Sequence, residues 1–69
     1  MTNTIRNERS ILKITQRDLA ITIGVSRQTI NYIEKNNDIP STLIAMKLSR
    51  LFGKPVNDFF QLEDSDDHC

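Results

Sequence analysis

Residues 16–35 read QRDLAITIGVSRQTINYIEK, and two short helical patterns within them flank Ile23-Gly24-Val25-Ser26. Ala20 is small where the first helix must press against its neighbour. Gly24 falls where the chain must turn with positive φ, a conformation cheap only for glycine. Ser26 is placed to cap the second helix by accepting a hydrogen bond from the N–H of Gln28 or Thr29. Ile30 and Ile33 give that helix a buried side, and Arg27, Gln28, Asn31 and Tyr32 stay outside. Two helices joined by a glycine-containing turn, the second with a polar hydrogen-bonding face, form a helix-turn-helix unit over 16–35. In such units the second helix enters a DNA major groove.

Outward from this unit the chain reads as further helices. Ile5, Arg9 and Leu12 mark one face of a first helix over about 4–13, with Ile14 as an apolar anchor after it. Thr15 caps the second helix, about 16–23, with Asp18 three residues on as a box-like partner. The third spans about 26–35, and Asn36-Asn37-Asp38-Ile39-Pro40 is a loop of turn formers. Ser41 caps a fourth helix over about 42–52, with Ile44, Leu48, Leu51 and Phe52 as an inward stripe, and Gly53 ends it. Pro55 opens a fifth over about 55–60, with Val56, Phe59 and Phe60. The expectation is an all-α, five-helix domain over 4–60, with no strand alternation and a frayed acidic tail over 61–69.

The chain has 69 residues and a formal net charge of zero. That size suits one domain with a small core that dimerisation would help. Zero charge looks wrong for a DNA-binding chain until it is divided. Residues 1–54 hold all nine Lys and Arg against four acids, a balance of +5. Residues 55–69 hold five acids and no Lys or Arg, a balance of −5. A basic body therefore carries an acidic tail, which either aids solubility or competes with DNA for the basic surface. One cysteine, Cys69, excludes an internal disulfide framework and suits a reducing cytoplasm. No apolar run approaches the roughly 20 residues of a membrane helix, and MTNTIRNERS lacks a signal peptide's apolar stretch.

The set Ile14-Thr15-Gln16, Asp18-Leu19-Ala20, Gly24-Val25-Ser26, Arg27-Gln28-Thr29-Ile30 and Ile33-Glu34-Lys35 stands in one register, followed by Pro40-Ser41 and Leu51-Phe52-Gly53. In this the chain resembles the phage-repressor/Cro-like helix-turn-helix regulators, over about residues 5–60. The resemblance implies a compact, lambda-repressor-like domain that binds operator DNA, usually as a dimer. It implies that Gln16 contacts a phosphate and braces Gln28, and that Arg27, Gln28 and Asn31 face base edges. It places Tyr32 near the groove wall, and it implies that Arg9 and Glu34 bridge the first helix to the end of the third. Three departures stand out. Glu8 replaces a usual apolar residue, with Leu12 expected to cover that face. Asn36-Asn37 replaces Asn-Gly, so one asparagine has to take the left-handed conformation it tolerates. Leu43 occupies a position that is usually charged.

Residue chemistry agrees with this. Arg27 can pair bidentately with guanine O6 and N7, and Gln28 with adenine N6 and N7. Arg27 on a phosphate would instead add affinity without sequence information. The expected DNA-contacting set is Gln16, Arg27, Gln28, Thr29, Asn31, Tyr32, Lys35 and Asn36, the last two on phosphates. Leu43, Phe60 and Leu62 are the candidate dimer residues, with core packing the alternative for Phe60. His68 and Cys69 make no metal ligand set. No cofactor, metal or small-molecule ligand is implied, and no nucleophile stands beside a base, so no enzyme is expected. The expectation is a cytoplasmic repressor that binds double-stranded DNA as a homodimer. The alternative is a protein-interaction module of the same fold, such as an antitoxin. A polar, Arg- and Gln-bearing third helix opposes it, since interface centres favour apolar anchors.

Overall fold

The computed structural model describes residues 1–63. The acidic residues Asp64, Asp66 and Asp67, together with His68 and Cys69, lie outside that range. Four α-helices form the body: α1 (Ile5–Leu12), α2 (Gln16–Ile23), α3 (Arg27–Glu34) and α4 (Thr42–Phe52). A 3-10 turn follows at Val56–Asp58. Two short antiparallel strands, β1 (Thr2–Asn3) and β2 (Phe60–Gln61), pair Thr2 with Gln61 and Asn3 with Phe60.

Local chemistry sets most helix ends. Thr15 Oγ1 accepts from Asp18 N–H at 3.0 Å, and Asp18 Oδ2 accepts from Thr15 N–H at 3.2 Å, closing a reciprocal capping box on α2. Gly24 ends α2 at φ 77, and its N–H donates to the Ala20 carbonyl. Ser26 Oγ then accepts from Thr29 N–H at 3.1 Å and starts α3. Ser41 caps α4 through Ile44 N–H, and Gly53 closes it at φ 66. Asn36 takes the left-handed conformation anticipated within Asn36-Asn37, at φ 62. Lys13 does the same after α1, at φ 58.

These ends let one apolar side of each helix converge. Ile5, Leu19, Ala20, Ile23, Ile30, Ile33, Leu48, Phe59 and Phe60 form the buried core. Phe59 meets the edge of Phe52 at 5.1 Å and tilts against Phe60 at 5.2 Å, both favourable aromatic arrangements. Ala20 keeps α2 close to α3, and the half-buried Ile44, Leu51, Phe52 and Val56 close the cluster from α4 and the 3-10 turn.

The C-terminal part departs from expectation. The fifth helix is one 3-10 turn, and the strand pair replaces the rest. The cause is tertiary. The Phe59 carbonyl accepts from Thr4 N–H at 2.9 Å, and Phe60 pairs with Asn3, so neither is available to an α-helical ladder. Phe59 and Phe60 are both buried, which a strand-like turn between two core walls achieves. Gln61 pairs with Thr2, and Glu63 lies 3.2 Å from the Met1 amino group, so these residues are tied to the N-terminal strand.

Helix α1 holds a second departure. Leu12 is exposed and does not cover the face near Glu8. Glu8 itself is buried, 6% exposed, and Lys54 reaches both its carboxylate oxygens, at 2.8 and 3.0 Å. A cation from the loop after α4 thus makes an acid tolerable where an apolar side chain would pack.

Candidate nucleic-acid interface

Helix α3 divides sharply. Ile30 and Ile33 are 0% and 1% exposed, and the residues between them face outward. Arg27, Gln28 and Asn31 line one shallow hollow on that outer side. Gln28 Nε2 donates to the Tyr32 hydroxyl at 2.8 Å, an i to i+4 contact along the helix. The pair is presented as a unit, with the Gln28 carbonyl oxygen left as an acceptor. Thr29 is half-buried, and its hydroxyl is shared with Ser26 at 2.8 Å, so it serves the cap of α3.

Gln16, at the first position of α2, reaches across to α3. Its Nε2 lies 3.4 Å from Asn31 Oδ1 and 3.3 Å from Glu34 Oε1. It braces Asn31, whereas the family resemblance implied Gln28. With its oxygen accepting from Gln16, Asn31 keeps its amino end as a donor, the kind of group that suits guanine or thymine oxygens or phosphate.

Arg9 and Glu34 form the expected bridge between α1 and α3. Arg9 Nε and Nη2 donate to the two Glu34 oxygens at 2.7 and 3.0 Å, and Nη1 donates to the Ile14 carbonyl at 3.1 Å. Hydrogen bonding to Glu34 and its charge hold the guanidinium above its ordinary range, against the opposing effect of burial. The bidentate fork fixes the angle at which α3 leaves the body. It also neutralises Glu34, an acid at the end of α3.

Two cations absent from the expected contact set flank this face. Arg6 lines a hollow with Arg9, Gln16, Asn31, Glu34 and Lys35. Arg17 lines a neighbouring one with Thr15, Gln16 and Arg27. Both adjoin the N-terminus of α2, where unpaired backbone N–H groups favour an anion. Their signal was present as excess cations around Thr15, but nothing local separates them from ordinary surface charge. Lys35 and Asn36 lie exposed at the carbonyl end of α3. Asn3, from β1, donates to Asn36 there.

The dimer candidates fall in different environments. Leu43 and Leu62 are exposed, whereas Phe60 is 6% exposed and belongs to the buried core. Met46 is also exposed, one turn beyond Leu43 on the outer side of α4, and Ile39 is exposed just before that helix. Among the described residues no cluster of three or more His, Cys, Asp or Glu could hold a metal, and no helix is long and apolar enough to cross a membrane.

Comparison with known proteins agrees with this geometry. The family model described as helix-turn-helix matches residues 5–59. An uncharacterized HTH-type transcriptional regulator of Methanocaldococcus jannaschii is 42% identical over 66 residues, covering 96% of this chain and 100% of the relative. The HTH-type regulator YgzD of Bacillus subtilis is 38% identical over 64 residues, covering 93% and 97%. A further such regulator, from Archaeoglobus fulgidus, is 36% identical over 66 residues, covering 96% and 94%.

Proposed function

The chain belongs to the Cro/C1-type helix-turn-helix family of transcriptional regulators, and from that premise we propose that it is a repressor that binds a palindromic operator as a homodimer. The observation that carries this reading is the two-sidedness of α3. Its inner side is sealed by Ile30 and Ile33, and its outer side presents Arg27, Gln28, Asn31 and Tyr32 between flanking cations. In the proposed complex α3 lies in the major groove. Arg27 and Gln28 read base edges, and Asn31 adds a donor to a base or phosphate oxygen. Arg6 and Arg17, with the backbone N–H of Gln16, take phosphates at the start of α2, and Lys35 and Asn36 take them at the end of α3.

A single recognition helix reads only a few base pairs. Two copies with their α3 helices about 34 Å apart read two half-sites one helical turn apart. The proposed contact between copies uses exposed apolar residues away from α3: Leu43 and Met46 on α4, with Leu62 after β2. An operator placed over a promoter then excludes polymerase, which is repression.

Selection from a random duplex pool with the purified protein tests this reading. The expected product is an inverted repeat with about one helical turn between half-site centres, bound by two protomers in sedimentation. Recovery of no preferred sequence, or one protomer per site, contradicts it.

A further inference from the structure

Asn3 joins three parts of the molecule through one amide. Its Oδ1 accepts from Ile5 N–H at 3.2 Å at the start of α1. Its Nδ2 donates to the Ile33 carbonyl of α3 at 2.7 Å and to Asn36 Oδ1 at 2.9 Å. A backbone N–H can only donate and a backbone carbonyl can only accept, so the orientation of the Asn3 amide has one solution. The second hydrogen on Nδ2 then requires an acceptor, and it selects the oxygen end of Asn36.

The two ends of a primary amide point apart. With its oxygen held by Asn3, exposed Asn36 turns its Nδ2 outward beside Lys35. A phosphate oxygen accepts hydrogen bonds and never donates them, so an outward amino end suits it and an outward oxygen would repel it. The pairing of β1 with β2, and the bond from Thr4 N–H to the Phe59 carbonyl, fix the height at which Asn3 meets α3.

We propose that Asn3 is a positioning residue for DNA binding: it sets the amide of Asn36 so that Nδ2 donates to a backbone phosphate at the end of α3. This rests on the DNA-binding reading above. The N-terminal strand thereby becomes part of the phosphate-gripping surface while touching no DNA itself.

A double-mutant cycle on the full chain tests it, using the selected duplex and an unrelated one. Asn36→Gly removes the amide and keeps the left-handed backbone cheap. It should weaken both duplexes about three- to tenfold, the effect of one exposed hydrogen bond to an anion. Asn3→Ala should weaken them similarly in the wild-type background, but by less than about twofold when Asn36 is already glycine. Equal losses in both backgrounds would assign Asn3 a purely structural role and overturn the proposal. Should Asn3→Ala fail to fold, Asn36→Asp decides. It still accepts from Asn3 but turns an anionic oxygen outward, so it should bind more weakly than Asn36→Gly, and binding as tight as the glycine variant would overturn the proposal. A wild-type chain that binds neither duplex overturns the DNA reading itself. A wild-type chain that binds, with Asn36→Gly indistinguishable from it, overturns this inference alone.

Discussion

Replacing Gly24 with alanine is expected to cost about 1 kcal/mol of stability, and the structure separates the contributions. At φ 77 an L-residue is disfavoured by roughly 1–2 kcal/mol. No clash adds to this. A Cβ at Gly24 would meet Lys47 Nζ at 3.9 Å, an ordinary contact with the end of a flexible side chain. That side chain donates to the Ile23 carbonyl at 3.1 Å and has room to keep doing so. Alanine also removes conformational freedom from the unfolded chain, which offsets roughly 0.4–1 kcal/mol. The difference is roughly 0–1.6 kcal/mol, centred near 1. Valine, β-branched at positive φ, should cost about 2–3 kcal/mol, a large share of the few kcal/mol available to a chain this small. Urea unfolding followed by far-ultraviolet circular dichroism measures both. Gly53, at φ 66 with open space around it, is the control and should give a similar value for alanine. A cost above about 3 kcal/mol for Gly24→Ala would mean that close packing governs the turn. A net stabilisation would mean that the turn does not hold positive φ.

The buried pair of α1 should respond asymmetrically. Lys54→Met leaves Glu8 without its cation and should cost about 1–2 kcal/mol, whereas Glu8→Leu should be neutral or stabilising in the same unfolding assay. Equal costs would contradict this account of Glu8. Lys35→Ala should weaken every DNA sequence about equally and lower the slope of log affinity against log salt by about 1, and a loss confined to the operator would refute its phosphate role. Removing residues 64–69 deletes three acids and should modestly strengthen nonspecific binding at low salt. Unchanged affinity would assign the tail to solubility alone.

Where short-range chemistry decides the structure, it was legible from residue types. Thr15, Ser26 and Ser41 cap helices because a hydroxyl before a helical run has one good use, and Gly24 and Gly53 end helices for an equally local reason. The apolar spacing of Leu19, Ala20, Ile23, Ile30 and Ile33 prescribed which sides of α2 and α3 would meet. The strand pair was not legible, because two residues per strand carry no alternation and the pairing joins Asn3 to Phe60 across the whole fold. Glu8 was misjudged for a similar reason: the cation that permits its burial lies 46 positions away. The outer face of α3 could be named from the sequence. The bracing of Asn31 by Gln16, the flanking positions of Arg6 and Arg17, and the hold of Asn3 on Asn36 all depend on how α1, α2 and β1 pack around it.

Whether α3 reads bases is decided at Gln28. Gln28 is exposed, and its side chain donates to Tyr32 on the same helix. Gln28→Ala should therefore leave circular dichroism and melting near wild type. Affinity for every single-base variant of the operator, measured with wild type and with Gln28→Ala, gives two base-preference profiles to compare. Gln28→Ala should lose about 1–3 kcal/mol on the operator, with preference relaxed at one base pair per half-site and retained elsewhere. A variant that ranks all the operators as wild type does would show that α3 does not read DNA through this residue.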